Sequence, residues 1–147
     1  MRPGLIQLEI GVQSVNEMTI SAINRKTNLD KIREKVAKIK SFGNVHQHLD
    51  LIAGLPYEDY DSFANSFNQV YAMKPDQLQL GFLKVLYGSN MKLMSGEYGI
   101  KHLSYPPYEV LETKWISYED VLKLKEVEEV VEIYYNSFQF SNSVIYL

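Results

Sequence analysis

The sequence predicts an α/β fold: an incomplete (βα) barrel of about three parallel strands, followed by a C-terminal helical extension. Three observations carry this reading. Strand-like alternation at Leu5–Val12, Val45–Ala53 and Gln77–Val85 is interleaved with helix-like periodicity, a βαβαβ order that implies parallel strands joined by right-handed crossovers. Each strand carries polar residues on one parity, whereas a parallel strand covered on both faces is apolar throughout. One face of the sheet is therefore expected to pack on helices and the other to line something wet. A closed, filled barrel would place branched apolar residues there instead. After Gly88 the pattern changes to a Gly-, Ser-, Tyr- and Pro-rich stretch punctuated by Pro106-Pro107, and then to one long helix. The chain divides at that change, into a barrel part over 1–88 and a linker with a helical extension over 89–147.

Taken in order, the first strand places Ile6, Leu8, Ile10 and Val12 on one parity and Gln7, Glu9, Gly11 and Gln13 on the other. Asn16 is placed to cap a short helix to about Asn24, with Ile20 and Ile23 turned inward. Thr27 and Asp30 read as a capping box for the next helix. Its Ile32, Val36 and Ile39 recur at i, i+4 and i+7 before Phe42-Gly43 ends it. In the second strand Val45, Leu49 and Leu51 oppose His46, His48, Asp50 and Ile52. A third helix is expected from about Glu58 to Met73, buried along Phe63, Phe67 and Val70 and stopped by Pro75. In the third strand Gln77 and Gln79 oppose Leu78, Leu80 and Phe82. Gly99–Leu103 reads as a short strand. Ser117 then caps a helix to about Asn136, with Val121, Leu124, Val127, Val131 and Tyr134 on its buried side and Glu126, Glu128, Glu129 and Glu132 in solvent.

With 147 residues, 46% of them apolar and 22% charged, the chain can bury the core of one domain. A net charge of -3, with lysines interspersed among acids, lacks the basic patch of a nucleic-acid binder. No apolar run approaches the roughly 20 residues of a membrane span. Met1-Arg2-Pro3-Gly4 runs at once into a strand, with no secretory signal pattern. These readings give a cytoplasmic location, with neither nucleic acid nor membrane as partner. The absence of cysteine rules out a disulfide framework and a thiolate metal site within the chain. A strand at the very start leaves an edge along residues 5–12 that native sheets normally cover. The chain is therefore expected to begin inside a larger fold, or to self-associate as a homo-oligomer through that strand.

The block Gly11-Val12-Gln13-Ser14-Val15-Asn16, the later Asn24-Arg25, and Asp50-Leu51-Ile52-Ala53-Gly54-Leu55-Pro56 each sit where a strand gives way to a helix. Ligands of α/β sheets collect at that edge. At this spacing the three pieces resemble the fourth and fifth strands of the radical S-adenosylmethionine (radical SAM) barrel, as in oxygen-independent coproporphyrinogen oxidases and cobalamin-domain members. Pro75-Asp76-Gln77-Leu78-Gln79-Leu80 resembles the sixth, so the likeness covers about residues 4–88. It implies a fragment of a TIM-type barrel, from a parent oxidoreductase that reductively cleaves S-adenosylmethionine to a 5′-deoxyadenosyl radical.

The same resemblance assigns cofactor contacts. Gln13 and Asp50 would hydrogen-bond the ribose hydroxyls and amino-acid portion of S-adenosylmethionine, and Arg25 would meet its carboxylate. Ile52 and Gly54 would let the adenine lie against the end of the second strand, and the backbone near Lys84 would contact its edge. These roles suit the residue types, since a carboxylate accepts from two hydroxyls and a guanidinium grips a carboxylate as a fork. The likeness assigns no catalytic residue and no metal ligand within the chain.

Residues 108–137 resemble the C-terminal region of a cobalamin-associated branch, often labelled iron–sulfur oxidoreductase or anaerobic magnesium-protoporphyrin monomethyl ester cyclase-like. That adds cobalamin to the cofactors the parent could carry. The chain departs from the pattern at Tyr87, where the branch has proline, at Phe138, where it has glycine, and at Glu58, one position later than the usual acid. The family's Cys-x-x-x-Cys-x-x-Cys loop has no counterpart here, and a [4Fe-4S] cluster needs thiolates. The expectation is a C-terminal fragment, inactive alone, whose parent holds the cluster and a small-molecule substrate.

Two other readings stay open on the residues. His46, His48 and Asp50 alternate along one strand face, with His102 as a further imidazole, which suits a metal-dependent, hydrolase-like partial barrel. A non-enzymatic module that pairs its first strand with a partner is the other. Gln7 and Glu9 either contact substrate or are simply wet, and Gln13, Arg25 and Asp50 taken singly read equally as strand-end caps.

Overall fold

The computed structural model describes residues 5–144. Period-two alternation builds its sheet. Strands β1 (Ile6–Gln13), β2 (Val45–Ala53) and β3 (Gln77–Phe82) pair in parallel in the order β1-β2-β3. Register sets Glu9 beside His48 beside Gln77, and Gly11 beside Asp50 beside Gln79. The polar parities of all three strands therefore lie in rows on one face. The other parity supplies Val12, Leu49, Leu51, Leu78 and Leu80, all buried, and packs against Val36, Phe63 and Val70 of the helices. The α/β class and the three parallel strands stand as read.

The helices keep their predicted order but shift at their starts. Asn16 caps α1 (Glu17–Ala22), accepting from the N–H groups of Met18 and Thr19. Helix α2 (Leu29–Ser41) is capped by Asn28, not by a Thr27/Asp30 box. The side-chain Oδ1 of Asn28 takes the Lys31 N–H at 2.9 Å, and Asp30 pairs with Arg33 instead. Asparagine outranks threonine as a cap, so the start moves by one residue. Helix α3 (Tyr60–Tyr71) starts later than expected because Asp59, rather than Glu58, is its cap, taking the Ser62 N–H at 2.8 Å. That leaves Glu58 in the turn before the helix.

The third strand ends at Phe82 rather than Val85. Beyond it Leu83 donates to the Ala53 carbonyl, and the chain then turns to meet residues 108–110: Val85 donates to Tyr108, Val110 donates to Leu83, and Lys84 bridges Glu109 antiparallel. The stretch read as irregular holds a short helix, α4 (Asn90–Met94), capped by Ser89. The strand expected at Gly99–Leu103 shrinks to β4 (Lys101–His102), paired antiparallel with β5 (Val110–Glu112). Tyr98, Ile100, Val110, Ile116, Val121 and Leu124 join the same hydrophobic cluster as the sheet, so a single core runs through both parts of the chain.

Ser117 caps α5 (Tyr118–Val130) as predicted, and the helix passes into a π-helical turn, Val131–Asn136, before α6 (Ser141–Val144). The wider turn inserts residues relative to α-helical spacing and rotates the stripe. Tyr134, expected inside, is exposed, while Tyr135 faces the sheet and its hydroxyl donates to the Pro75 carbonyl at 2.5 Å. Among the described residues no helix is long and apolar enough to cross a membrane.

Candidate functional site

The C-terminal ends of the three strands converge on one hollow, and β1 shapes it most. Its pairing with β2 slips between Gly11 and Gln13, so that Gln13 lies opposite Leu51. Gln13 has φ of 69°, a left-handed conformation that is uncommon outside glycine. The turn folds the glutamine amide back over Gly11, where a Cβ would lie 2.3 Å from Gln13 Nε2. A side chain at this position would displace the glutamine amide. A guanidinium nitrogen of Arg25 donates to the Gly11 carbonyl at 2.9 Å and comes within 3.5 Å of the same Cβ position. Gln13 and Arg25 thus meet above Gly11.

A cavity of about 400 Å³ is lined by Gln13, Asp50, Ile52, Gly81 and Lys84, among others. Oε1 of Gln13 and Oδ1 of Asp50 are buried and have no hydrogen-bond partner among the described residues. Buried acceptors are nearly always satisfied, so these two oxygens are candidates for donors from outside the chain. Burial raises the Asp50 carboxyl above its ordinary range, the Glu9 charge raises it further, and His48 pulls it partly back. Arg25 lines a larger neighbouring cavity of about 690 Å³, together with Ser14, Asn24, Lys26 and Asn28.

Gly54 is placed differently from expectation. Its φ is 84°, and a Cβ would lie 2.6 Å from Val110 Cγ1. Its open side is filled by β5, and it does not line the 400 Å³ cavity. Gly81 takes that place. It shares the polar parity of Gln77 and Gln79, and a Cβ there would sit 3.4 Å from the Leu51 carbonyl and 3.9 Å from Ile52 Cγ1. Parity alone could have pointed to it.

The two strand histidines lie edge to face, with ring centroids 4.8 Å apart, and Phe138 stands 6.5 Å from His46. His102 lies apart in the linker, bonded to Lys92 and the Leu103 carbonyl. Among the described residues no three His, Cys, Asp or Glu side chains are grouped to hold a metal, so the hydrolase-like reading finds no centre. Gln7 and Glu9 are exposed on the wet face.

A further buried acid, Glu58, enters the sequence reading only as a helix start and as a departure from the family pattern. Glu58 is 1% exposed, and its Oε1 accepts from Ser14 Oγ at 2.6 Å and from Ser66 Oγ at 3.0 Å. Burial pushes its carboxyl up to about 7; the two serine bonds oppose this and the Asp59 charge adds to it. Ser66 lies in the helix that follows, but Ser14 comes from a distant segment, 44 residues away, which no local pattern announces.

Residues 96–147 match a family model described as a protein of unknown function (DUF4080). An oxygen-independent coproporphyrinogen III oxidase of Pseudomonas aeruginosa is 32% identical over 77 residues, 52% of this chain and 17% of that protein. The Salmonella typhimurium enzyme of the same name is 27% identical over 97 residues, 64% of this chain and 21% of its own. The solved coproporphyrinogen III oxidase of Escherichia coli, described as a radical SAM enzyme, aligns over 84% of this chain and 26% of its own, with a TM-score of 0.56 and 24% identity. The chain is similar to part of a radical SAM enzyme. It shares the fold of the radical SAM neighbour, and it spans about a fifth of the length of these curated relatives.

Proposed function

We propose that this chain supplies part of the S-adenosylmethionine pocket of a radical SAM oxidoreductase. One observation carries the reading: Gln13 Oε1 and Asp50 Oδ1, both buried and unpartnered among the described residues, line one cavity at the ends of parallel strands. Two acceptors on residues of one cavity suit a pair of ribose hydroxyls, and a carboxylate binds such donors more strongly than a neutral group does. Ile52 and Gly81, neighbours on the same cavity, would take the adenine. Lys84 makes its bridge to Glu109 through the hydrogen bonds of Leu83 and Val85, so its own N–H and carbonyl point away from residues 108–110 and are free for the adenine edge in this reading. Arg25, held above Gly11, is the cation available to the cofactor's carboxylate.

When bound and reduced, S-adenosylmethionine supplies a 5′-deoxyadenosyl radical. This chain's residues bind and orient the nucleoside end; they do not hold the [4Fe-4S] cluster, because no cysteine is present. The chain alone is therefore inactive in this reading. A small-molecule substrate would meet the wet face of the sheet.

The test is nuclear magnetic resonance titration of the chain with 5′-deoxyadenosine and S-adenosylmethionine. The expected result is millimolar binding, about 4 kcal/mol, with resonance changes at Gln13, Asp50, Ile52, Gly81 and Lys84 that vanish in Asp50→Ala. Changes confined to Lys26–Leu29, or none with either compound, would overturn the reading.

A further inference from the structure

We infer that Glu58 is a positioning residue: its carboxyl, gripped by Ser14 and Ser66, holds closed the β1–α1 turn on which Gln13 is mounted. Each serine works in two directions. Ser14 Oγ donates to Glu58 and accepts the Asn16 N–H at 3.0 Å; Ser66 Oγ donates to Glu58 and accepts the Val15 N–H at 3.1 Å. Two peptide groups of the turn are thus wired through hydroxyls to one carboxyl oxygen, and such chains polarise one another. The turn after β2 is stitched to the same place. Asn16 Nδ2 donates to the Tyr57 carbonyl at 2.9 Å and Thr19 Oγ1 to the Pro56 carbonyl at 2.8 Å.

The other carboxyl oxygen, Oε2, is buried with no partner among the described residues. Around it the β1–α1 turn contributes Ser14, α3 contributes Ser66, and its own turn contributes the like charge of Asp59. Among the described residues no cation forms an ion pair with it. The two serine bonds favour the ionised form and burial disfavours it more strongly, so ionisation leaves a charge on Oε2 whose cost falls when water enters the turn. Ionisation therefore opens the seam between the two turns, and Gln13, adjacent to Ser14, moves with it. The consequence for nucleotide affinity rests on the proposed pocket; the latch itself rests only on these contacts.

Amide resonances of Val15 and Asn16, followed in the full chain from about pH 5.5 to about pH 8.5, test the latch. Both are expected to follow one titration with a midpoint near that of Glu58, about 7. Across it, their hydrogen exchange should rise beyond the roughly tenfold per pH unit that hydroxide catalysis alone gives. Glu58→Gln keeps a neutral acceptor for both serines and should abolish the titration. Ser66→Ala should expose Val15 to exchange at every pH. Flat Val15 and Asn16 resonances in the unaltered chain, or the same titration persisting in Glu58→Gln, would overturn the assignment. With S-adenosylhomocysteine as probe, affinity should fall about tenfold from pH 6 to pH 8 in the unaltered chain and stay level in Glu58→Gln. An intact amide titration with no response to that probe at any pH supports the latch and counts against the pocket alone.

Discussion

The side-chain amide of Asn136 pairs with the backbone of Leu78 as a neighbouring strand would. Nδ2 donates to the Leu78 carbonyl at 2.9 Å, and Oδ1 accepts the Leu78 N–H at 3.0 Å. Gln77 and Gln79 flank Leu78 in the ladder with β2, so Leu78 turns its own peptide groups to the outer edge of β3. Asn136 reaches them because the π-helical turn ends there. An edge whose donor and acceptor are both taken is closed to another strand at that point. The C-terminal extension thereby seals one side of the sheet.

Asn136→Ala should cost about 2 kcal/mol, two hydrogen bonds at about 1 kcal/mol each, read as a lower urea midpoint with an unchanged slope. A midpoint equal to that of the unaltered chain would show that the edge gains nothing from the amide.

Gly54→Ala should cost about 2–4 kcal/mol, because two penalties combine. A φ of 84° disfavours any Cβ, and the added atom meets Val110 Cγ1 at 2.6 Å. Val110→Ala relieves the overlap but not the backbone strain. In a double-mutant cycle Gly54→Ala should therefore cost less in the Val110→Ala background than alone. Equal costs in both backgrounds would mean that the strain of the turn, and not the packing of β5, dictates glycine.

Much of this architecture is legible in the sequence, because period-two alternation maps directly onto a sheet face. The polar rows through Glu9, His48 and Gln77, and through Asp50 and Gln79, follow from parity once the strands are parallel. Gln13 and Asp50 are legible too, as polar residues at strand ends. What escapes depends on distant partners or on a change of period. Extending α-helical spacing to Tyr134 puts it in the core, but the segment widens there into a π-turn. Gly54 carries the motif's glycine, yet Val110 occupies the space beside it, and the cavity opens at Gly81. The Glu58 seam needs Ser14 and Ser66, which only the folded chain brings together.

The opposite edge of the sheet is proposed as a site of self-association. Among the described residues β1 pairs with β2 alone, and Leu5 and Leu8 are 68% and 36% exposed. An unpaired, apolar strand of this kind invites another chain. Sedimentation should show the mass rising with concentration, and Leu8→Lys should move the distribution toward monomer, since an edge lysine discourages pairing. An unaltered chain that stays monomeric at all accessible concentrations would sink this proposal.

Glu58 also makes stability depend on pH, with a definite sign. Its ordinary value of 4.5 belongs to the unfolded chain, and the fold raises it to about 7. Below about pH 4.5 the group is protonated in both states, and its contribution is complete. Between those values the unfolded chain ionises while the folded chain keeps its proton, so stability falls as pH rises. Above about pH 7 the loss is complete, on the order of 3 kcal/mol, since each pH unit separating the two values corresponds to about 1.36 kcal/mol. Glu58→Gln has no proton to lose, and its amide oxygen still accepts from both serines. It should match or fall slightly below the unaltered chain at about pH 5 and exceed it at about pH 8. A weaker slope should persist in the variant, because Asp50, raised by burial and by Glu9, acts in the same direction. Urea midpoints at the two pH values measure the crossing. Parallel slopes in the two proteins would mean that Glu58 is already solvated in the native state and that its hydrogen bonds to Ser14 and Ser66 carry no pH-dependent energy.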